Sequence, residues 1–173
     1  IFVFVETDAG LTGVGEATTE WHEQAVAHMI DNHFGPALVG MDPTRIEFIW
    51  QTLQRGFWWR NGVVAASALS GIDQALWDLT GKAYKLPVYK LLGGAVRDRV
   101  RLYARMDLGL ANVAEEAQAA VEEGFDAFKS GYGPRTEPFD DRRQVEVSLD
   151  EFQRIRTAVG DKLELMIDCG GIF

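Results

Sequence analysis

The chain is poor in cysteine, histidine and proline, with one Cys, three His and five Pro in 173 residues. A lone Cys169 cannot form an internal disulfide, so the fold rests on packing, and a reducing compartment such as the cytoplasm is expected. Basic residues are also scarce: 17 Lys and Arg face 26 Asp and Glu, a net charge of −9. That balance disfavours nucleic acid and anionic membrane surfaces as partners and leaves a small molecule as the expected ligand. No apolar run approaches the ~20 residues of a membrane span. Residues 1–16 have neither the basic start nor the small-residue cleavage pattern of a secretory leader. An initiator methionine is lacking too, and Ile1-Phe2-Val3-Phe4-Val5 opens as though a strand were entered midway, so the chain reads as a piece of a longer protein.

What is present is core-forming material, since 47% of the residues are hydrophobic, enough for one large domain or two small ones. Residues 1–5 and 11–16, joined by Thr7-Asp8-Ala9-Gly10, read as an antiparallel hairpin. Ala25, Val26, Met29, Ile30 and Phe34 recur at helical spacing, and Gly35-Pro36 is expected to stop that helix. Asp42-Pro43 reads as the cap and first position of a second helix carrying Ile46, Ile49, Trp50 and Leu53, closed by Gly56. A third runs through Ala66, Leu69, Ile72, Leu76, Leu79 and Ala83 to Leu86-Pro87. A strand pair with three helices makes an α+β domain.

After Leu91-Leu92-Gly93-Gly94 and Arg97-Asp98-Arg99 the order of elements changes to β, α, β, α, β. A strand is expected over 100–106, and a helix is expected after the Asn112 cap, ended by Gly124. A strand closes on Lys129. A capping box, Ser148-Leu149-Asp150-Glu151, is expected to open a helix with Leu149, Phe152, Ile155 and Val159 inward, and residues 163–168 form a strand closing on Asp168. Strands alternating with helices are parallel neighbours. An open sheet and a barrel both fit this pattern, although a closed barrel needs eight strands and about 250 residues. Lys129 and Asp168 each end a strand, so both come to the carboxyl rim of the sheet, where β/α folds place their chemistry.

The ordered stretches Val5-Glu6-Thr7-Asp8-Ala9-Gly10-Leu11-Thr12-Gly13-Val14-Gly15-Glu16, Ser70-Gly71-Ile72-Asp73-Gln74-Ala75-Leu76-Trp77-Asp78-Leu79, Leu86-Pro87-Val88-Tyr89-Lys90-Leu91-Leu92-Gly93-Gly94, Gly124-Phe125-Asp126-Ala127-Phe128-Lys129 and Leu165-Met166-Ile167-Asp168 resemble the enolase superfamily, in its mandelate racemase and acid-sugar dehydratase branch. The short forms around Lys129, Gly133-Pro134 and Asp168-Cys169 are similar to dehydratases of the rhamnonate type. The resemblance implies an α+β capping domain over residues 1–96, with its first strand missing, followed over 97–173 by the first three strands and two helices of a (β/α)7β TIM-like barrel.

It also implies a magnesium-dependent hydro-lyase acting on a sugar acid, through proton abstraction α to the carboxylate, an enediolate and loss of a β-hydroxyl. Asp168 is then the first magnesium ligand, with the other ligands and a histidine base expected beyond Phe173. Lys129 is the catalytic cation on the substrate carboxylate, its pKa expected to fall near a metal and other cations. Where the racemase pattern has a second lysine, this chain has Gly131, which removes one of the two bases a racemase needs. Trp21, His22, Trp59 and Arg60 are expected to meet substrate from the capping domain, and a homo-oligomer is expected. A racemase, epimerase or cycloisomerase of the same superfamily is the second reading, and a non-catalytic relative or inactive fragment the third. His22, His28 and His33 do not read as a metal site, because on one helix the outer two lie about 16 Å apart. Asp73 and Asp78 read as anchors of capping-domain helices, and Cys169 as a small packing residue.

Overall fold

The computed structural model describes residues 1–105, 112–133 and 140–170. The chain divides into two compact units, Ile1–Val96 and Arg97–Phe173.

In the first unit, β1 (Phe2–Glu6) and β2 (Thr12–Glu16) pair antiparallel with Val3 opposite Gly15. The turn is closed by Thr7, whose hydroxyl donates to the Leu11 carbonyl and accepts from the Leu11 N–H. Alternation turns Val3 and Val5 to one face and leaves Phe2 and Phe4 exposed on the other. On the inner face lies α4 (Val63–Tyr84), 22 residues long. The helix and β2 approach backbone to backbone, because Gly13, Gly15 and Gly71 carry no side chain at the contact: a Cβ on Gly15 would stand 2.0 Å from the Gly71 carbonyl oxygen.

Side chains of α4 also cap the outer edge of β2. Val14 N–H donates to Asp78 Oδ2 at 2.8 Å and Lys82 Nζ to the Thr12 carbonyl at 2.8 Å. The Gln74 amide accepts from Glu16 N–H and donates to Glu16 O, both at 3.1 Å. A sheet edge that would otherwise be open is thereby satisfied within the unit.

α1 (Glu23–Met29), α3 (Ile46–Arg55) and α4 enclose a core of Val3, Val26, Phe34, Ile49, Leu53, Ile72 and Leu76. The helix expected to stop at Gly35-Pro36 does not. It widens into a π-helical turn over Ile30–Phe34, with Gly35 N–H reaching the Ile30 carbonyl, and continues as α2 (Gly35–Leu38). The wide turn resets the register, so Pro36 falls in the first turn of α2, where its missing N–H costs nothing. The second helix likewise starts at Ile46 rather than at Pro43. Asp42 Oδ1 is spent on the Thr44 N–H and hydroxyl, at 2.9 and 2.7 Å, forming an Asx turn ahead of the helix. α4 ends with Lys85 in the left-handed region, φ 56°, and α5 (Val88–Leu91) follows Pro87.

Burial raises the Asp78 carboxyl, but its bonds from Lys82 and Val14 outweigh this and hold its pKa below the ordinary carboxylate value. A depressed carboxylate contributes stability that is full above the unfolded-state pKa and lost as pH falls through the folded one. Asp78→Asn is therefore expected to lower stability at neutral pH. The gap to the parent closes below about pH 4, near the unfolded carboxylate value. Urea midpoints of both proteins across pH 3–7 check this, and a pH-independent gap would refute it.

In the second unit β3 (Ala104–Arg105), β4 (Ala127–Ser130) and β5 (Glu164–Ile167) form a parallel sheet in that order, connected through α6 (Val113–Glu122) and α7 (Asp141–Val159). The helices cover one face, enclosing Ala117, Ala120, Phe128, Ile155, Val159 and Leu163. Asn112 caps α6, accepting from Glu115 N–H, and Gly124 follows its end at φ 90°.

Two expectations are corrected here. Of the strand expected over 100–106, the described ladder covers Ala104–Arg105, with Met106 outside the described residues. Val100 and Leu102 are exposed, while Arg101 bonds Asp126 and Glu164 at 3.0 and 2.7 Å, tying the sheet at its amino end. The capping box at Ser148 is not a helix start. α7 already begins at Asp141, where Asp140 accepts from Arg143 N–H at 3.1 Å, and Ser148 lies buried in mid-helix with Leu149 exposed. The Ser148 hydroxyl reaches the Tyr132 carbonyl at 2.6 Å, and Gln144 Nε2 donates to that same oxygen at 2.9 Å. A sequence that looked like a cap is the clamp holding the segment that leaves β4.

Candidate active site

On β4, Phe128 and Ser130 are buried and Phe128 packs among the helices, so alternation turns Lys129 to the opposite face. Arg105 on β3 and Met166 on β5 are its partners in register. Asp168 follows β5, its N–H donating to the Ser130 carbonyl at 2.9 Å and extending the ladder by one step. That step returns its side chain to the Lys129 face. Lys129 Nζ donates to Asp168 Oδ2 at 3.0 Å, and Gly170 N–H donates to Asp168 Oδ1 at 3.1 Å. The lysine side chain is 22% exposed and the aspartate 51%. The ammonium also lies 5.2 Å from the centroid of the Tyr103 ring, in cation–π range.

The hydrogen bond from Lys129, then the Gly170 N–H, hold the Asp168 carboxyl below its ordinary range, with Arg105 adding a weaker charge effect. Lys129 is shifted upward in pKa by its neighbours in the chain. The bond to Asp168, followed by the Tyr103 side chain, outweighs desolvation and raises its pKa. Among the described residues the nearest charge to the ammonium is the Asp168 carboxylate, so the cation is stabilised.

Asp168 is therefore an ionised, half-exposed oxygen donor at a strand end, which suits a hard divalent cation. It can supply one ligand, since among the described residues no group of three or more His, Cys, Asp or Glu is placed to hold a metal. Cys169, expected to pack, is exposed. The segment Gly133-Pro134 is described at Gly133, while Pro134, Gly171 and Phe173 lie outside the described residues.

Trp21, His22, Trp59 and Arg60 belong to the first unit. Trp21 is 90% exposed at φ 69°, its N–H bonded to Glu23 Oε1, and His22 precedes α1, its carbonyl accepting from Val26 N–H. Trp59 and Arg60 sit in the loop between α3 and α4, where they line a cavity of about 230 Å³ with Met29, Trp50, Phe57 and Asp73. Trp21 and His22 are not among its lining residues. Arg60 is committed to main chain, donating to Phe57 O at 3.2 Å and Arg55 O at 3.5 Å. Trp58 and Trp59 project outward, 97% and 93% exposed, so they do not pack between helices. Asp78 anchors the hairpin as expected, whereas Asp73 faces the cavity, its pKa raised by burial and by Glu47. Of the sequence-singled residues the structure brings together Lys129 with Asp168, and Trp59 with Arg60. Tyr103 and Arg105 were missed. Their signal was strand parity with Lys129, which becomes visible only once the register of β3 is known.

The model of the mandelate racemase / muconate lactonizing enzyme N-terminal domain matches residues 1–93. D-galactonate dehydratase of Verminephrobacter eiseniae is 40% identical over 172 residues, covering 99% of this chain and 45% of that protein. The protein of the same name from Ralstonia nicotianae is also 40% identical, with the same coverage. A crystal structure of an enolase from Pantoea ananatis, with bound D-gluconate and magnesium, superposes with a TM-score of 0.83 at 35% identity, over 96% of this chain and 48% of that one. An enolase of the mandelate racemase subgroup from Agrobacterium tumefaciens gives 0.81 at 29% identity, over 99% and 47%. The chain thus spans about 45% of the length of the curated relatives it matches. With its first 93 residues matched by the family's own domain model and nearly the whole chain aligned to these relatives, the chain belongs to the mandelate racemase/muconate lactonizing enzyme family of the enolase superfamily.

Proposed function

We propose that the protein to which this chain belongs dehydrates a sugar acid, removing the proton α to the carboxylate and then expelling a β-hydroxyl. The observation that carries this reading is the Lys129–Asp168 contact at 3.0 Å at the carboxyl rim of a parallel sheet, on the face opposite α6 and α7. The α-proton is hard to remove because its loss adds charge to a group that is already anionic. Lys129 would hold the substrate carboxylate, and Asp168 would hold magnesium. When bound, the cation supplies positive charge against the enediolate oxygens. The remaining ligands and a histidine base would come from outside these 173 residues.

Trp21, His22, Trp59 and Arg60 would meet the substrate from the capping domain. Their exposed indoles suit the exclusion of water and their polar edges the recognition of hydroxyls. Gly131, two positions beyond Lys129, offers no second base, which favours dehydration over racemisation or epimerisation. The same reading carries a cytoplasmic location and a homo-oligomeric assembly. Among the described residues no helix is long and apolar enough to cross a membrane.

The test is a panel of sugar acids, D-galactonate and D-gluconate included, incubated with the full-length protein and magnesium and assayed for 2-keto-3-deoxy products. Turnover of at least one acid is expected. Epimerised acid without keto product would favour the racemase reading, and silence across the panel would favour a non-catalytic relative.

A further inference from the structure

The three strands of the second unit carry two basic residues, Arg105 and Lys129, and these are direct neighbours in the ladder. Paired residues on adjacent parallel strands stand about 4.8 Å apart and project to the same face. Lys129 is committed to Asp168. Arg101, just ahead of β3, is committed to Asp126 and Glu164, and on α7 Arg142 and Arg143 pair with Glu146 and Arg154 with Asp150. Arg105 is exposed and makes no hydrogen bond or ion pair among the described residues. Asp168 accepts from Lys129 and Gly170 and not from Arg105, which acts on that carboxylate as a nearby charge. Among the described residues the strand ends of this face therefore present two cations, Arg105 and Lys129, to one carboxylate, Asp168, one positive charge in excess, within a chain of net charge −9. A local excess of that sign on a strongly acidic protein is the signature of a seat for an anion.

We propose that Arg105 is a second cationic contact for the substrate carboxylate, gripping it alongside Lys129 and setting the preference for an acid over a neutral polyol. The inference rests on the sugar-acid reading and adds to it the residue that selects the charged end. The division of labour follows from the two side chains. An ammonium is a point charge that can be shared with Asp168, whereas a guanidinium offers a planar fork that fits the two oxygens of a carboxylate. Tyr103 stands on the Lys129 side of that division, its ring centroid 5.2 Å from the ammonium.

The experiment uses the full-length protein with Arg105→Gln and Arg105→Lys, titrated calorimetrically with D-galactonate in the presence of magnesium, with tartronate as a small carboxylate probe. Arg105→Gln is expected to weaken the sugar acid about tenfold or more, the scale of one charge-assisted bidentate contact. Arg105→Lys should restore part of that loss, with magnesium affinity measured without the acid unchanged in both. Unaltered D-galactonate affinity in Arg105→Gln overturns the proposal, as does an equal loss of magnesium affinity, which would make Arg105 a support of the metal site instead. A parent protein that binds tartronate but no sugar acid refutes the substrate class alone, and Arg105 is then judged by the same comparison on tartronate. A parent that binds neither overturns both readings.

Discussion

Gly15→Val is expected to cost the first unit more than about 3 kcal/mol, beyond the usual range for overpacking a core, and the loss should be visible as a collapsed urea midpoint. The magnitude follows from what the new atoms would meet. A Cβ at Gly15 would lie 2.0 Å from Gly71 O and 2.8 Å from Ala75 N, and one at Gly13 would lie 1.9 Å from Ala75 O. These are main-chain atoms of α4, which cannot rotate aside as a side chain can. Relief requires the hairpin to lift off the helix, and that also stretches the bonds from Asp78, Gln74 and Lys82 to the edge of β2. Since a domain of this size holds only ~5–15 kcal/mol in total, the variant unit is expected to be marginal or unfolded at 37 °C. Gly10→Ala is the control. Its backbone is left-handed, φ 76°, but nothing lies within 4 Å of the added atom, so it should cost only the conformational ~1–2 kcal/mol. Equal losses at positions 10 and 15 would refute close approach as the reason for the glycines of β2.

The same glycines show where the sequence was readable and where it was not. Asp8-Ala9-Gly10 announces a turn by chemistry local to itself, and the periodic Leu69, Ile72, Leu76 and Leu79 announce a helix over their own length. Gly13 and Gly15 answer to a helix some 60 residues later, a contact that no local rule contains. Ser148 failed for a related reason. Ser-x-x-Glu satisfies a capping box wherever the chain happens to start a helix, but Asp140 starts this one earlier. The hydroxyl then turns to the Tyr132 carbonyl. Gly35-Pro36 is a stop under α-helical register, and the π-helical turn over Ile30–Phe34 changes the register on which that rule depends.

At the site, Lys129 and Asp168 were readable because each closes an apolar strand run, and parallel strands bring such ends to one rim. Arg105 was not. The expected strand over 100–106 gave no register, and whether residue 105 shares a face with Lys129 is decided by a shift of one position.

Asp168→Asn in the full-length protein is expected to abolish sugar-acid turnover while leaving the fold intact. The substitution is isosteric and half-exposed, and an amide oxygen can still accept from Gly170 N–H, so circular dichroism and thermal midpoint should stay close to the parent. What is lost is the charge. Outer-shell partners of metal ligands typically cost 10–100-fold when removed, so a ligand itself should cost more than about 100-fold in kcat/KM, with a parallel loss of magnesium binding by calorimetry. Lys129 would then face a neutral amide at the position of its counter-ion, leaving two uncompensated cations among the described residues of this face, Lys129 and Arg105. Simple anions should consequently bind the variant at least as well as the parent even as turnover disappears, which separates the two roles assigned to this rim. Among the described residues no group of three or more carboxylates, histidines or cysteines could hold a metal, so the 173-residue chain by itself is expected to bind magnesium only weakly. Tight one-to-one binding by the isolated chain, or full activity of the Asn variant, would remove Asp168 from the metal site. The positive excess at the rim would then be left to serve the carboxylate alone.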